Sequence, residues 1–169
     1  LVKILKDKKI NGSGKEGFIV GNDKAVCLQE CPVYYLAQNI YYERKMNKDG
    51  RSKKIRYRGI GLMFDKTYIY KKGGRPVIYD KTEEAKKYLT EDKWWRIVNL
   101  DLSDSNNIID WTHEREWRVL NELTFELKNV SIVVGSNKVL KKVIKLCDDE
   151  GIDIIDKIKG VTVLNDLFY

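Results

Sequence analysis

The sequence predicts an α+β fold, and three observations predict it. Strand-like runs outnumber helical ones. The helical runs gather early and late instead of alternating with strands, as a doubly wound fold would require. No segment recurs at a fixed period, which sets aside solenoids and propellers. A chain of 169 residues with 43% hydrophobic and 11% aromatic residues can bury one core, so a single domain over 1–169 is expected.

Leu1, Ile4 and Leu5 recur at helical spacing, and Gly12 can end that helix. A loop follows at 11–14, and Lys24-Ala-Val-Cys-Leu-Gln29 reads as a short buried strand. Pro32 suits the first position of a helix whose apolar stripe is Val33, Leu36, Ala37, Ile40 and Tyr41, ending at Asp49-Gly50. Residues 59–64 read as a strand with close backbone approaches at its glycines. A turn at 72–75 precedes a strand at 76–79, and Asp80 with Glu83 has capping-box spacing for a short helix to Leu89. Alternation and β-branched content predict a strand at 95–102, then a polar loop at 103–107. Short strands are expected at 124–127 and 130–134. Ser136 caps a helix with the stripe Val139, Leu140, Val143, Ile144 and Cys147, closed by Gly151, and edge strands are expected at 152–155 and 161–164.

The charge balance points to a partner. Net charge is +7, which favours an anionic partner. From Arg44 to Arg75 there are twelve cations, counting Arg51, Lys53, Lys54, Arg56 and Arg58, against Asp49 and Asp65; Tyr57, Tyr68 and Tyr70 are interleaved. That mixture suits a phosphate backbone with stacked bases, and equally a solvated face. Cysteines at 27, 31 and 147 fit no zinc spacing, and with one histidine no metal site is expected; reduced thiols in a cytoplasmic protein are. No apolar run approaches 18 residues, so no membrane span is expected. The chain opens on Leu1 and not on Met, so a further element is expected upstream.

The stretch Trp111-Thr-His-Glu-Arg-Glu-Trp-Arg-Val119 concentrates chemistry: two tryptophans, the only histidine, two carboxylates and two arginines. As a strand, it would place Glu114, Glu116 and Arg118 on one face and Arg115, Trp117 and Val119 on the other. A Glu-x-Glu pair can hold a ribose hydroxyl and stabilise positive charge at an anomeric carbon. An Arg–Glu ladder bracing a half-exposed strand is the competing reading. A Cys–His pair drawing on Cys27 or Cys31 with His113, and a magnesium nuclease drawing on Asp110 and Glu116, are further alternatives.

His113-Glu-Arg-Glu-Trp-Arg118, with Ala25-Val-Cys-Leu-Gln-Glu-Cys-Pro32 and Gly73-Gly-Arg-Pro-Val-Ile-Tyr79, resembles a family of small bacterial proteins that includes the AbiGi-like phage-resistance proteins. The likeness covers most of the chain. The order of elements in turn resembles the DarT-like ADP-ribosyltransferases, in which a strand carries the catalytic glutamate and a strand–helix unit follows. The resemblance implies a split, twisted, mostly antiparallel sheet with flanking helices and NAD between its halves. It implies a phage-defence or toxin domain that modifies nucleic acid and has a cognate antitoxin or defence partner. By that likeness Glu116 is the catalytic residue, Glu114 orients the acceptor, and His113 completes the set. Arg75 and Arg118 are candidates for the pyrophosphate, because a guanidinium matches phosphate oxygens bidentately. Tyr79 or Trp117 would stack on nicotinamide. Two features depart from the pattern. The His-Phe-Thr element would lie before Leu1, and Gln29-Glu-Cys-Pro32 stands where an arginine is expected. Either NAD is held differently, or the fold serves a non-catalytic nucleic-acid-binding or defence-regulatory module.

Overall fold

A computed structural model describes residues 1–50, 55 and 57–167. In chain order its elements are α1 (Val2–Asp7), β1 (Lys9–Asn11), β2 (Ala25–Gln29), α2 (Val33–Lys48), β3 (Ile60–Phe64), α3 (Lys66–Lys71), β4 (Arg75–Pro76), β5 (Ile78–Asp80), α4 (Thr82–Tyr88), β6 (Ile97–Asn99), β7 (Glu116–Leu120), β8 (Glu122–Thr124), β9 (Val130–Val134), α5 (Asn137–Asp149) and β10 (Gly160–Val163), with short 3-10 turns between them. The class is α+β. By its internal contacts the chain divides into two compact units. One gathers the described residues of Leu1–Lys8, Cys31–Asp65 and Phe125–Tyr169; the other gathers Lys9–Glu30 and Lys66–Thr124.

The first unit is built on the sheet β10-β9-β3. Every residue of β9 is buried, as its β-branched run Val-Ser-Ile-Val-Val requires of a central strand. It pairs antiparallel with β3 and parallel with β10, and α5 supplies the crossover that parallel pairing needs. Ser136 caps α5 by accepting from the Val139 N–H at 3.4 Å, and Val143 and Cys147 are its buried residues. Gly59 stands against Gly135, where a Cβ would come within 3.1 Å of the Gly135 Cα. Helix α2 lays Ala37 and Ile40 on Val133 and Leu164, flanked by Val33, Leu36, Tyr57 and Met63. Tyr41, expected on that stripe, is exposed instead, because the buried face is narrow and centred on Ile40.

The second unit holds the sheet β2-β7-β4, the parallel pair β5-β6 and the antiparallel pair β1-β8. Ile19, Ala25 and Trp95 form one of its apolar clusters. Among the described residues no helix is long and apolar enough to cross a membrane.

Several elements differ from expectation for local reasons. Helix α1 stops at Asp7 because Lys8 adopts a left-handed φ of 50° and returns its N–H to Ile4; residues 9–11 then pair as β1. The expected strand at 76–79 is two strands: Arg75–Pro76 pair with β7, the Val77 N–H donates to the Glu116 carbonyl, and the chain turns away to pair with β6. Asp80 is not the cap of α4. The Thr82 N–H donates to Asn99 Oδ1, while Asp80 accepts from the Tyr88 hydroxyl. The strand at 95–102 shrinks to Ile97–Asn99, since 91–96 coil into 3-10 turns that bury Trp95. Asn121, at φ 61°, turns β7 into β8, so the strand expected at 124–127 lies at Glu122–Thr124. Residues 152–155 form no strand, although Ile154 is buried.

Candidate functional site

The stretch 111–119 is a turn followed by a strand. The Asp110 carboxylate accepts from the Thr112 N–H and hydroxyl at 2.8 and 2.7 Å, which winds Thr112–Glu114 into a 3-10 turn. The backbone bond first, then the hydroxyl, hold the Asp110 carboxyl below the usual carboxylate range, so its charge is committed to its own turn. Arg115 then takes a left-handed φ of 46°, and the strand begins only at Glu116. The expected three-residue face is therefore corrected: Glu116 and Arg118 share it, and Glu114 does not belong to the strand. His113 is exposed, 3.7 Å from Glu114, with its ring tilted against that of Trp111 at a centroid distance of 6.0 Å.

Register builds the face around Glu116. Across β2, Gln29 is the partner of Glu116 and Cys27 the partner of Arg118; across β4, Arg75 is the partner of Arg118. Paired residues point to the same side of a sheet, so these five project together. Arg118 is 2% exposed. Its Nη1 donates to the carbonyls of Trp95 at 2.6 Å and Ile97 at 3.0 Å, and its Nε donates to Glu116 Oε1 at 2.7 Å. The Glu116 side chain is itself only 16% exposed. A buried guanidinium needs this carboxylate, and the carboxylate is in turn held in one orientation.

Tyr79 and Cys27 complete the cluster. The Tyr79 hydroxyl accepts the Glu116 N–H at 2.8 Å, which leaves its own proton free to be donated. Burial, then the nearby Glu116 and Glu114 carboxylates, push the phenol above its usual value against the pull of the Glu116 amide and Arg118; it is neutral at physiological pH. Cys27 touches solvent, but protein around the sulfur and then the Glu116 carboxylate push its thiol up to about 12. A thiol held protonated is no nucleophile, so the Cys–His reading of Cys27 fails on electrostatics. Gln29 Nε2 is buried with no acceptor among the described residues.

The other expected residues fall elsewhere. Trp117 alternates to the opposite face from Glu116, where its indole donates to Glu30 Oε2 at 2.8 Å and Lys66 lies 5.1 Å from its ring; it cannot stack on a ring held beside Glu116. Arg118 is enclosed and committed to Glu116, so its guanidinium is not open to a pyrophosphate as expected. Arg75 is half-buried and stacks 4.0 Å from the Tyr70 ring. Arg51, Lys53, Lys54 and Arg56 lie outside the described residues; Arg58 is exposed. Among the described residues, no three of His, Cys, Asp and Glu gather as a metal set.

Two neighbours, Gln29 and Glu30, escaped sequence reasoning as site residues, and Cys27 entered it only as a candidate nucleophile. Glu30 accepts from Arg115 at 2.7 Å and pairs with Lys66 at 2.9 Å. The Lys66 bond first, then Trp117 and Arg115, hold its carboxyl below the usual range against the cost of burial. Strand alternation alone would have put Cys27 and Gln29 on one face, but their pairing with β7 has no local signal.

No protein-family model, no curated protein and no solved structure matches this chain.

Proposed function

We infer that the chain is an ADP-ribosyltransferase-like domain of a phage-defence or toxin system that cleaves NAD and transfers ADP-ribose to nucleic acid. The observation that carries the reading is the juxtaposition of Gln29 and Glu116. One offers a buried donor with no partner among the described residues. The other offers a carboxylate whose Oε1 is fixed by Arg118 and which also meets the weakly donating Cys27 thiol. A ribose hydroxyl both donates and accepts, so it satisfies the two groups at once. A carboxylate already oriented stabilises positive charge at the anomeric carbon without reorganising. NAD supplies the ADP-ribosyl group and the nicotinamide leaving group. On this reading the neutral Tyr79 hydroxyl donates to a bound oxygen, and Glu114, whose charge reaches Tyr79, orients the acceptor.

Nucleic acid as acceptor is supported by the net charge of +7 and by helix α2. Tyr34, Tyr41 and Lys45 follow one another on its outer face, as do Tyr35, Tyr42 and Met46, and all six are exposed. Aromatic rings beside cations suit stacked bases along a phosphate backbone.

A second reading is favoured by one observation, the burial of the Glu116–Arg118 pair. A glutamate needed to neutralise a buried arginine has a sufficient structural role, as in a non-catalytic nucleic-acid-binding module. Glu116→Gln separates the two. On both readings the substitution costs about 3 kcal/mol, because Arg118 loses its countercharge. As a transferase, the folded variant at low temperature loses about 10²-fold or more in NAD turnover and keeps its NAD affinity. A wild-type protein that consumes no NAD, with or without nucleic acid, leaves the binding module.

A further inference from the structure

The second unit contains four arginines, and they fall into two kinds. Arg118 is neutralised by Glu116 and Arg115 by Glu30. Arg75 and Arg96 donate to neutral carbonyl oxygens, and among the described residues neither has a carboxylate partner. We propose that Arg75 and Arg96 together form a receptor for a phosphate-bearing anion, anchored on the segment 70–76.

The segment is shaped by its glycines. Gly73, at φ 86°, ends α3, and the Gly74 N–H donates to the Ile69 carbonyl at 2.9 Å. A Cβ on Gly74 would lie 2.4 Å from Ile69 Cγ2 and 2.8 Å from its carbonyl oxygen, so the close approach needs glycine. This turn brings the Tyr70 and Gly74 carbonyls to the Arg75 guanidinium, whose Nη1 donates to them at 3.1 and 2.7 Å while its plane lies over the Tyr70 ring. Arg96 reaches the same segment from the turn before β6. Its Nε and Nη2 donate to the Pro76 carbonyl at 3.1 and 2.9 Å.

Two guanidiniums are thus held on one short segment, and among the described residues no carboxylate pairs with either. Burial, and then the charge of Arg75, pull Arg96 down from its ordinary value, as expected of like charges held close. A guanidinium keeps its charge inside a protein. That arrangement costs folding energy, which an anion between them would return. The donors fit the task. Arg75 keeps Nε and Nη2, and Arg96 keeps Nη1 with the second hydrogen of Nη2, so each still has a forked edge of the kind that matches oxyanions bidentately. Tyr70, exposed beside Arg75, fixes the plane of one fork.

The inference rests on the proposed function only in that the pyrophosphate of NAD is one source of the anion; a nucleic-acid phosphodiester is the other. The test is calorimetric titration of the intact chain with inorganic pyrophosphate, repeated in competition with NAD and with a thymidine oligonucleotide. Wild type should bind pyrophosphate. Arg75→Gln and Arg96→Gln should each weaken binding about tenfold or more. Arg96→Lys should weaken it several-fold, because the charge stays and the fork is lost. Lys71→Gln, an exposed charge on the same segment, should change it less than about twofold. The proposal is overturned by a wild type that binds no pyrophosphate, by folded Gln variants that bind as wild type does, or by a Lys71→Gln loss equal to theirs. Where a Gln variant does not fold, Arg96→Lys decides: weaker binding supports the fork, and unchanged binding overturns it. Competition by NAD supports the receptor and gives its ligand as the dinucleotide. Competition by the oligonucleotide alone supports the receptor as a phosphodiester site and removes NAD from it. NAD consumption is measured separately, so the receptor and the transferase reading fail independently.

Discussion

Arg118 shows how one side chain sets the character of a site. Its guanidinium donates to two backbone carbonyls and to Glu116, and it is nearly closed to solvent. Arg118→Ala should therefore cost about 3–5 kcal/mol in urea unfolding, since Glu116 loses its partner and the carbonyls lose their donor. The double variant Glu116→Gln with Arg118→Met should recover a large part of that loss, because no charge is then left buried; failure to recover would mean that the carbonyl bonds, not the pair, hold the site. Cys27 gives a test by pH. Its folded thiol titrates near 12 against an unfolded value near 9.0, so the folded state holds the proton more tightly. Its contribution to stability is complete below about pH 9 and falls as pH rises toward 12. Chemical denaturation at pH 8 and pH 10.5 should show a smaller loss for Cys27→Ala than for wild type. At pH 8, Cys27 should also alkylate at least about tenfold more slowly than a free cysteine, despite its exposure.

Helix α2 makes the same point one level up. Its sequence carries two kinds of apolar residue, and only packing sorts them: Ala37 and Ile40 enter the core, while Tyr34, Tyr35, Tyr41 and Tyr42 face outward. Ile40→Ala should cost about 2–5 kcal/mol, and Leu36→Ala, half-buried, should fall at or below the low end of that range. Tyr42→Ala should leave the melting temperature within about 2 °C of wild type. It should weaken single-stranded nucleic-acid binding by roughly 1–3 kcal/mol in fluorescence anisotropy if the outer face is a stacking surface. An unchanged affinity would take α2 out of the binding surface.

For the whole molecule the governing quantity is charge. A net charge of +7 predicts nucleic-acid binding that weakens steeply as salt rises. Reversing Lys53, Lys54 and Arg56 to Glu should weaken binding across sequences and flatten the salt dependence, with the unfolding midpoint retained. Binding that ignores salt, or none at low salt, would remove nucleic acid as a partner.

What the sequence by itself determined is the part governed by local rules. The α+β class, the span of α2, the Ser136 cap of α5 and the buried run of β9 follow from periodicity, capping chemistry and β-branching, which neighbouring residues carry among themselves. The concentration of charged and aromatic side chains in 111–119 was legible too, because tryptophans and paired charges rarely share so short a stretch. Its division into a turn and a strand was not, since it depends on Asp110 capturing Thr112 and on Arg115 adopting a left-handed backbone. Only the tertiary structure decided that Glu116 faces Gln29 and Cys27, that Arg118 is enclosed, and that Arg75 meets Arg96. Those relations are set by strand register and by the path of the backbone around 70–76. Both are fixed by contacts between residues far apart in the chain, and a side chain's neighbours across a sheet leave no mark on the residues beside it in sequence.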